Sequence, residues 1–242
     1  HHPLIEFVRA ALDVVHTRWR YDSVFRCIKT DFFLEPGGED RGAMDELENY
    51  VLAFGIQGSR WTSPERWTFR LTDELTAEET GEGAGEEPEE PEKAFLVRIH
   101  RARMAVVRPL SAFEQRIRKC SNAEDFVEAL VALLEDVQAA ERLERWSEAE
   151  LEAGNPEKAR EHVQVWSSLM DALDQIVEVL GRETVGLEAF IGILEAGLED
   201  LTLGLVPPSL DQVLIGSPER TRAANIRRCY LLGVIDGTYP AS

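Results

Sequence analysis

Apolar positions along most of the chain recur at three- and four-residue steps, the spacing of one buried helix face. Leu4, Phe7, Val8, Ala11, Leu12 and Val15 keep that step, and Pro3 ahead of them suits a first helical turn. In YDSVFRCIKTDFF the residues Val24, Ile28 and Phe32 share a face, so residues 3 to 33 predict two helices, closed by a Gly-Gly turn at 37 and 38. Leu47, Tyr50, Val51 and Phe54 predict a third, with Asp45 and Glu48 as reciprocal caps at its start and Gly55 as its stop. From Lys93 onward the step resumes. Pro109 is expected to separate one helix from the next. Ser121-x-x-Glu124 reads as a capping box opening one long helix through DFVEALVALLEDVQAAERLERW. Asn155-Pro156 opens another, with Val163, Trp166, Leu169, Met170, Leu173, Ile176, Val177 and Leu180 inward and Gly181 as its stop. LEAFIGILEAGLEDL completes the set. Helices joined by short turns predict a bundle.

Two stretches break the period. Residues 73 to 92 carry glutamates at 74, 78, 79, 82, 86, 87, 89, 90 and 92 among glycines and prolines, with almost nothing apolar. Such a stretch cannot bury enough surface to offset its ordering entropy and is expected to be a disordered acidic loop. After Pro207-Pro208 the pattern changes again. DQVLIG and RRCYLLGVI are short, apolar and rich in strand formers, so they predict a strand-loop-strand unit around SPERTRAANI. Short buried strands need neighbours, and few other strand signals exist. The expected fold class is therefore mostly α: a helical bundle with a small α/β portion at the C-terminal end, in a chain cut from a longer polypeptide.

Composition narrows the function. The 242 residues are 44% hydrophobic and 29% charged, ordinary for a globular protein, with no apolar run long enough for a membrane span. His1 and His2 are read as a tag remnant. Cys27, Cys120 and Cys229 are far apart and without C-x-x-C spacing, which argues against a structural metal site or a disulfide framework and fits a reducing cytoplasm. A formal net charge of -19 opposes a phosphate backbone, so contact with nucleic acid must rest on local basic patches.

Catalytic signatures are missing. None of Lys29, Lys93, Lys119 and Lys158 has an acid two positions before it, as a restriction-type nuclease requires. The sequence holds no phosphate-loop motif, H-E-x-x-H or G-x-S-x-G. His16, His100 and His162 are scattered, and His162 fits a satisfied surface or core residue. Three basic features remain. Arg98, Arg101, Arg103, Arg108, Arg116, Arg118 and Lys119 form a run that either pairs with acidic helices or tracks phosphates. In SRWTSPERWTFR, Arg60-Trp61 and Arg66-Trp67 recur six residues apart, either stacking bases or anchoring a loop from inside. The last is the loop with Arg220, Arg222, Arg227 and Arg228, between strands where α/β proteins commonly bind ligands.

Two separated stretches carry a family resemblance. FRCIKTDFF with DELENYVLAFGIQGSRW, and PPSLDQVLIGSPERTRAANIRRCYLLGVIDGTYP, resemble in order and separation two blocks of AddB (RexB in some bacteria). AddB is the B subunit of the bacterial ATP-dependent helicase/deoxyribonuclease. The resemblance implies a helicase-like region. Residues 3–60 would be a helical part of the second RecA-like lobe, 61–205 a helical insertion, and 206–242 the return to that lobe. Active motors of the wider superfamily carry T-x-H-x-x-K-G-L-E where this chain has GSPERTR, and the missing His and Lys-Gly imply a degenerate motor. The implied role is non-catalytic. The chain would guide DNA and contact the A subunit in double-strand break repair, with Ser217, Arg220, Thr221 and Arg222 on DNA and Arg60 and Trp61 as secondary contacts. ATP, magnesium and an iron-sulfur cluster would belong to the parent complex, outside this piece. The competing expectation is a helical scaffold for protein partners that never touches DNA.

Overall fold

A computed structural model of the chain describes residues 2–34, 41–68 and 90–204, with side chains of all but Glu90 and 199–204. These carry nine helices and, among the described residues, no strand: α1 (Pro3–His16), α2 (Tyr21–Ile28), α3 (Arg41–Ala53), α4 (Ser59–Thr62), α5 (Glu90–Ile117), α6 (Ala123–Asp136), α7 (Ala139–Glu152), α8 (Pro156–Leu180) and α9 (Leu187–Gly204). The mostly helical class therefore holds for the described part. The expected strands of 206–242 lie outside the described residues, as does the acidic segment up to residue 89, while Glu90–Glu92 already belong to α5.

Helix phase explains the packing. α1 buries Leu4, Ile5, Phe7, Val8, Ala11 and Leu12, and α2 lies against it through Val24, Phe25, Cys27 and Ile28. Phe32 and Phe33 continue that face: Phe32 meets Phe7 at 4.8 Å and Trp146 of α7 at 5.2 Å between ring centroids. α7 and α8 form a hairpin about Gly154, which turns in the left-handed region at φ +81°. α9 packs on α8 and α1, and Phe190 stacks on Phe126 of α6 at 4.9 Å. Each fully buried Leu or Phe contributes about 1.5–3 kcal/mol, so this shared core outweighs any single helix's propensity.

Several element ends differ from the expectation, each for a physical reason. Pro109 sits inside α5 rather than between helices. Ile99, Ala102, Val106, Leu110, Phe113 and Ile117 keep one buried line straight across it, and that burial offsets the roughly 3 kcal/mol of an interior proline. α3 starts at Arg41, a turn before Asp45, because Met44 extends the buried stripe; Asp45 and Glu48 are thus interior, not caps. The cap of α6 is Asn122, whose side chain accepts from the Asp125 N–H at 2.9 Å, while Asp125 takes the Ser121 N–H in return. The box is real but shifted by one from Ser121 and Glu124.

The expected long helix after it is two. Gln138, at φ +52°, breaks the chain between α6 and α7. Continuing the phase of Leu130, Leu133 and Val137 would have buried Glu141, Glu144 and Glu148; the break buries Ala139 and Leu143 instead. On α8 the buried line is Val165, Leu169, Leu173 and Ile176, which leaves Val163 on the far side, 58% exposed. His2 is not a bystander either. It caps α1 by accepting the Leu4 N–H on Nδ1 at 3.1 Å, and its Nε2 lies 2.9 Å from Nδ1 of His162.

Candidate nucleic-acid contact surface

The four residues expected to contact DNA first, Ser217, Arg220, Thr221 and Arg222, lie outside the described residues. The secondary pair, Arg60 and Trp61, is described, and its surroundings can be built from the chain upward. α3 ends where Gly55 takes φ +55°, and the Ile56 N–H returns to the Val51 carbonyl at 3.0 Å. Gly58 follows with φ +63° and ψ -138°, a conformation essentially reserved for glycine. Its N–H donates to the Trp19 carbonyl at 3.0 Å. Trp19 and Arg18 are themselves left-handed at φ +62° and +55°, closing α1 so that the Trp19 indole donates to Glu114 of α5 at 2.9 Å. The single turn α4 is therefore pinned to the bundle from its first residue.

Both tryptophans of the repeat point inward. Trp61 is fully buried, 5.8 Å from the Phe25 ring and 5.4 Å from Trp67, and Trp67 stacks on Tyr50 at 5.7 Å with 6° between planes. Trp61 therefore offers no free face to a base, and both rings anchor the loop from inside. What fixes the loop is Arg103, which in the sequence is only one charge in a basic run. The residue is 1% exposed, and its guanidinium donates to the carbonyls of Trp61 at 2.9 Å, of Glu65 at 2.9 Å, and of Ser63, while lying 4.4 Å over the Trp67 ring. Burial pulls its pKa down from the usual arginine value, but a guanidinium stays charged. The spacing carries the signal: Arg103 stands four residues after Ile99 and three before Val106, on the buried line of α5.

The rest of the basic run divides. Arg98 bonds Glu46, Arg116 bonds Asp136 and Arg118 bonds Glu114, as a charged helix pairing with acidic neighbours. Arg108 is different. It is exposed, as is Arg66 on the stapled loop, and neither has an ion-pair partner among the described residues. Both lie close enough to His100 to act on it. Burial first, then the charges of Arg66, Arg103 and Arg108, hold that imidazole below its usual pKa. Arg60 is also exposed, with a guanidinium nitrogen 3.4 Å from the Phe54 carbonyl. The stapled loop and α5 thus bring the positive charges of Arg66, Arg103 and Arg108 together at His100, within a chain of net charge -19.

Metal-binding groups do not add to this surface. Among the described residues no cluster of three or more His, Cys, Asp or Glu could hold a metal ion. Cys27 is buried and its thiol is pushed well up in pKa by that burial, and Cys120 is pushed up to about 11. Nor is any described helix long and apolar enough to cross a membrane.

Fold and surface define a class: an α-helical module that holds an arginine-bearing loop from within and presents beside it cations without an ion-pair partner among the described residues. Comparison with known proteins then places it. No family model matches the chain. The B subunit of the ATP-dependent helicase/deoxyribonuclease of Anoxybacillus flavithermus is 43% identical over 242 residues, covering 99% of this chain and 20% of the relative. The B subunits of the same enzyme from Geobacillus kaustophilus and Desulforamulus reducens are 42% and 41% identical, each over 100% of this chain and 20% of their own length. The chain belongs, as the counterpart of one segment, to the family of ATP-dependent helicase/deoxyribonuclease B subunits, and spans about a fifth of the length of the curated relatives it matches.

Proposed function

We propose that the chain is a non-catalytic, DNA-guiding and subunit-contacting part of such a B subunit, serving a helicase-nuclease in double-strand break repair and recombination. The observation that carries the reading is that Arg66 and Arg108 are exposed and without an ion-pair partner among the described residues, with charges that reach His100 beside a loop held by Arg103. Guanidinium groups on a fixed frame suit phosphate oxygens, which set a strand's position without reading its sequence. Ser217, Arg220, Thr221 and Arg222 offer the same chemistry and belong to the same proposal. The partners are DNA and the A subunit, and the setting is the cytoplasm. ATP, magnesium and an iron-sulfur cluster are assigned to the parent complex.

The test uses the complete B subunit bound to its A subunit. Arg66→Glu with Arg108→Glu should weaken DNA binding and lower the slope of log K against log salt by about 2, roughly one for each phosphate no longer neutralised. Arg220→Glu with Arg222→Glu should act alike. Unchanged affinity across the salt series for both pairs would overturn the DNA reading. One observation favours the alternative, a scaffold for protein partners: Arg98, Arg116 and Arg118 direct their charge to internal carboxylates. That alternative predicts loss of the A subunit, not of DNA, from surface variants.

A further inference from the structure

One buried cation of the bundle, unlike Arg103, has no partner among the described residues. Arg142, on α7, is 8% exposed, and its Nε is buried without a hydrogen bond. Its guanidinium makes neither an ion pair nor a hydrogen bond with any described residue. Arg145 follows at three residues, on the same side of the helix, and its Nη2 is likewise buried and without a partner. The two charges repel: burial first, then Arg145, lowers the pKa of Arg142. The carboxylate acting on Arg142 is that of Asp31, and Asp31 is already bonded to Arg41. Arg9 shows the contrast. Its Nε is also unpartnered, but its Nη2 holds Glu195 at 2.8 Å. The chain has 45 acidic and 26 basic residues, yet no carboxylate among the described residues bonds either cation of α7.

A desolvated guanidinium without an acceptor is strongly unfavourable, and buried charges in proteins are kept paired. We infer that Arg142 and Arg145 form a receptor for a carboxylate, supplied by an Asp or Glu side chain from polypeptide of the complete subunit beyond these residues. Planar bidentate pairing is what guanidinium and carboxylate do best. Two observations favour a single side chain over a nucleic-acid strand. Arg142 is only 8% exposed, which leaves little of it within reach of a phosphate strand on the surface. Glu141, Glu144 and Glu148 lie exposed on the same helix, and they would repel a polyanion carrying a charge at every nucleotide more than a single carboxylate. The occupant is assigned to the same polypeptide because the relatives are some five times longer than this chain, so other parts of the subunit lie tethered nearby. The inference needs the family membership but not the DNA-guiding role.

The test is a change of sign. Arg142→Met keeps the apolar stem and removes the charge. In the 242-residue chain it should slow amide exchange of α7 about fivefold or more, because it removes an unpaired buried charge. In the complete B subunit it should speed that exchange by a similar factor, because it strands a buried carboxylate. Faster exchange in both would place the carboxylate within this chain and overturn the inference. Faster exchange only once the A subunit is bound would assign the carboxylate to that subunit, and equally overturns it, as does slower exchange in both. If Arg142→Met does not fold, acetate against chloride at matched ionic strength replaces it. Acetate should slow α7 exchange in the wild-type chain and leave the complete B subunit unchanged; an equal response in both sinks the inference.

Discussion

Arg103 is the residue whose replacement tests the loop architecture most directly. Its charged donors serve the loop carbonyls of Trp61, Glu65 and Ser63, with a longer contact to that of Arg60 at 3.5 Å, and well-formed bonds of that kind contribute about 1.5–3 kcal/mol each. Against them stands the cost of desolvating the guanidinium, several kcal/mol. Removing one partner of such an arrangement costs more than the difference, since the carbonyls stay behind without donors. Arg103→Met preserves the stem packed on α5 and removes only the fork. We expect a loss of about 3–5 kcal/mol, a large part of the roughly 5–15 kcal/mol typical of a folded domain. For a chain of this size that corresponds to about 6–20 °C in Tm. Arg103→Lys retains the charge but offers a point donor to one or two carbonyls, and should lose roughly half as much.

The assay is urea unfolding followed by far-ultraviolet circular dichroism for the bundle and by tryptophan emission for the loop. Trp61 and Trp67 pack within 5.4 Å of each other under the staple, so emission should shift to the red at lower urea than helix content is lost. The carbonyls of Ser63 and Glu65 lie near solvent, and water can satisfy them once the loop lifts, which makes local opening the least costly response. A loss below about 1 kcal/mol with unchanged emission would refute the staple.

Other outcomes follow from the same contacts. Tyr21 is pushed up to about 12 by burial and by its hydrogen bond to Glu48, so stability from the neutral phenol is complete below about pH 10 and fades as pH rises towards 12. Absorbance titration at alkaline pH should show this, and Glu48→Gln should move the midpoint towards the ordinary phenol value; an unmoved midpoint would discard the coupling. Burial works against the Glu48 charge, but hydrogen bonds from Lys29 and Tyr21 outweigh it and hold its pKa low. Its contribution is therefore present above the ordinary carboxyl range and lost as pH falls through the depressed value, a slope that Glu48→Gln should remove from acid unfolding curves. Gly58→Ala should cost about 1–3 kcal/mol through backbone strain alone, since the added Cβ would meet nothing closer than the Arg18 carbonyl at 3.9 Å; a neutral substitution in thermal melts would mean the turn can relax. Cys27 and Cys120 should resist iodoacetamide at neutral pH, because burial keeps both thiols protonated; fast labelling of either in the native protein would contradict that.

Helix phase is the legible layer of this sequence, and its errors are instructive. Breaks placed by residue type fail where the apolar line decides otherwise. Pro109 reads as a stop although Val106, Leu110 and Phe113 run through it, and Gln138 does not, although the apolar line slips there from Val137 to Ala139. The pattern is sufficient in both places, and a propensity rule overrides it. Cap positions fail by one residue at Ser121, because serine, asparagine and aspartate can exchange roles within a single turn.

The candidate surface is less legible, because net charge and charge runs say nothing about which cations are already paired. Seven basic positions between Arg98 and Lys119 look alike in the sequence, and the structure gives them different roles. Arg98, Arg116 and Arg118 neutralise neighbouring acids, Arg103 is an internal scaffold for the loop carbonyls, and Arg108 stays open. The distinction follows from helix geometry: a residue on the buried line of α5 must find carbonyls or carboxylates inside, and one on the outer face meets whatever crosses the helix. The acidity of the chain confines a phosphate surface to local patches rather than excluding one. Among the described residues some arginines spend their charge on neighbouring carboxylates, and the cations without such a partner, Arg66 and Arg108 among them, decide where an anion can land.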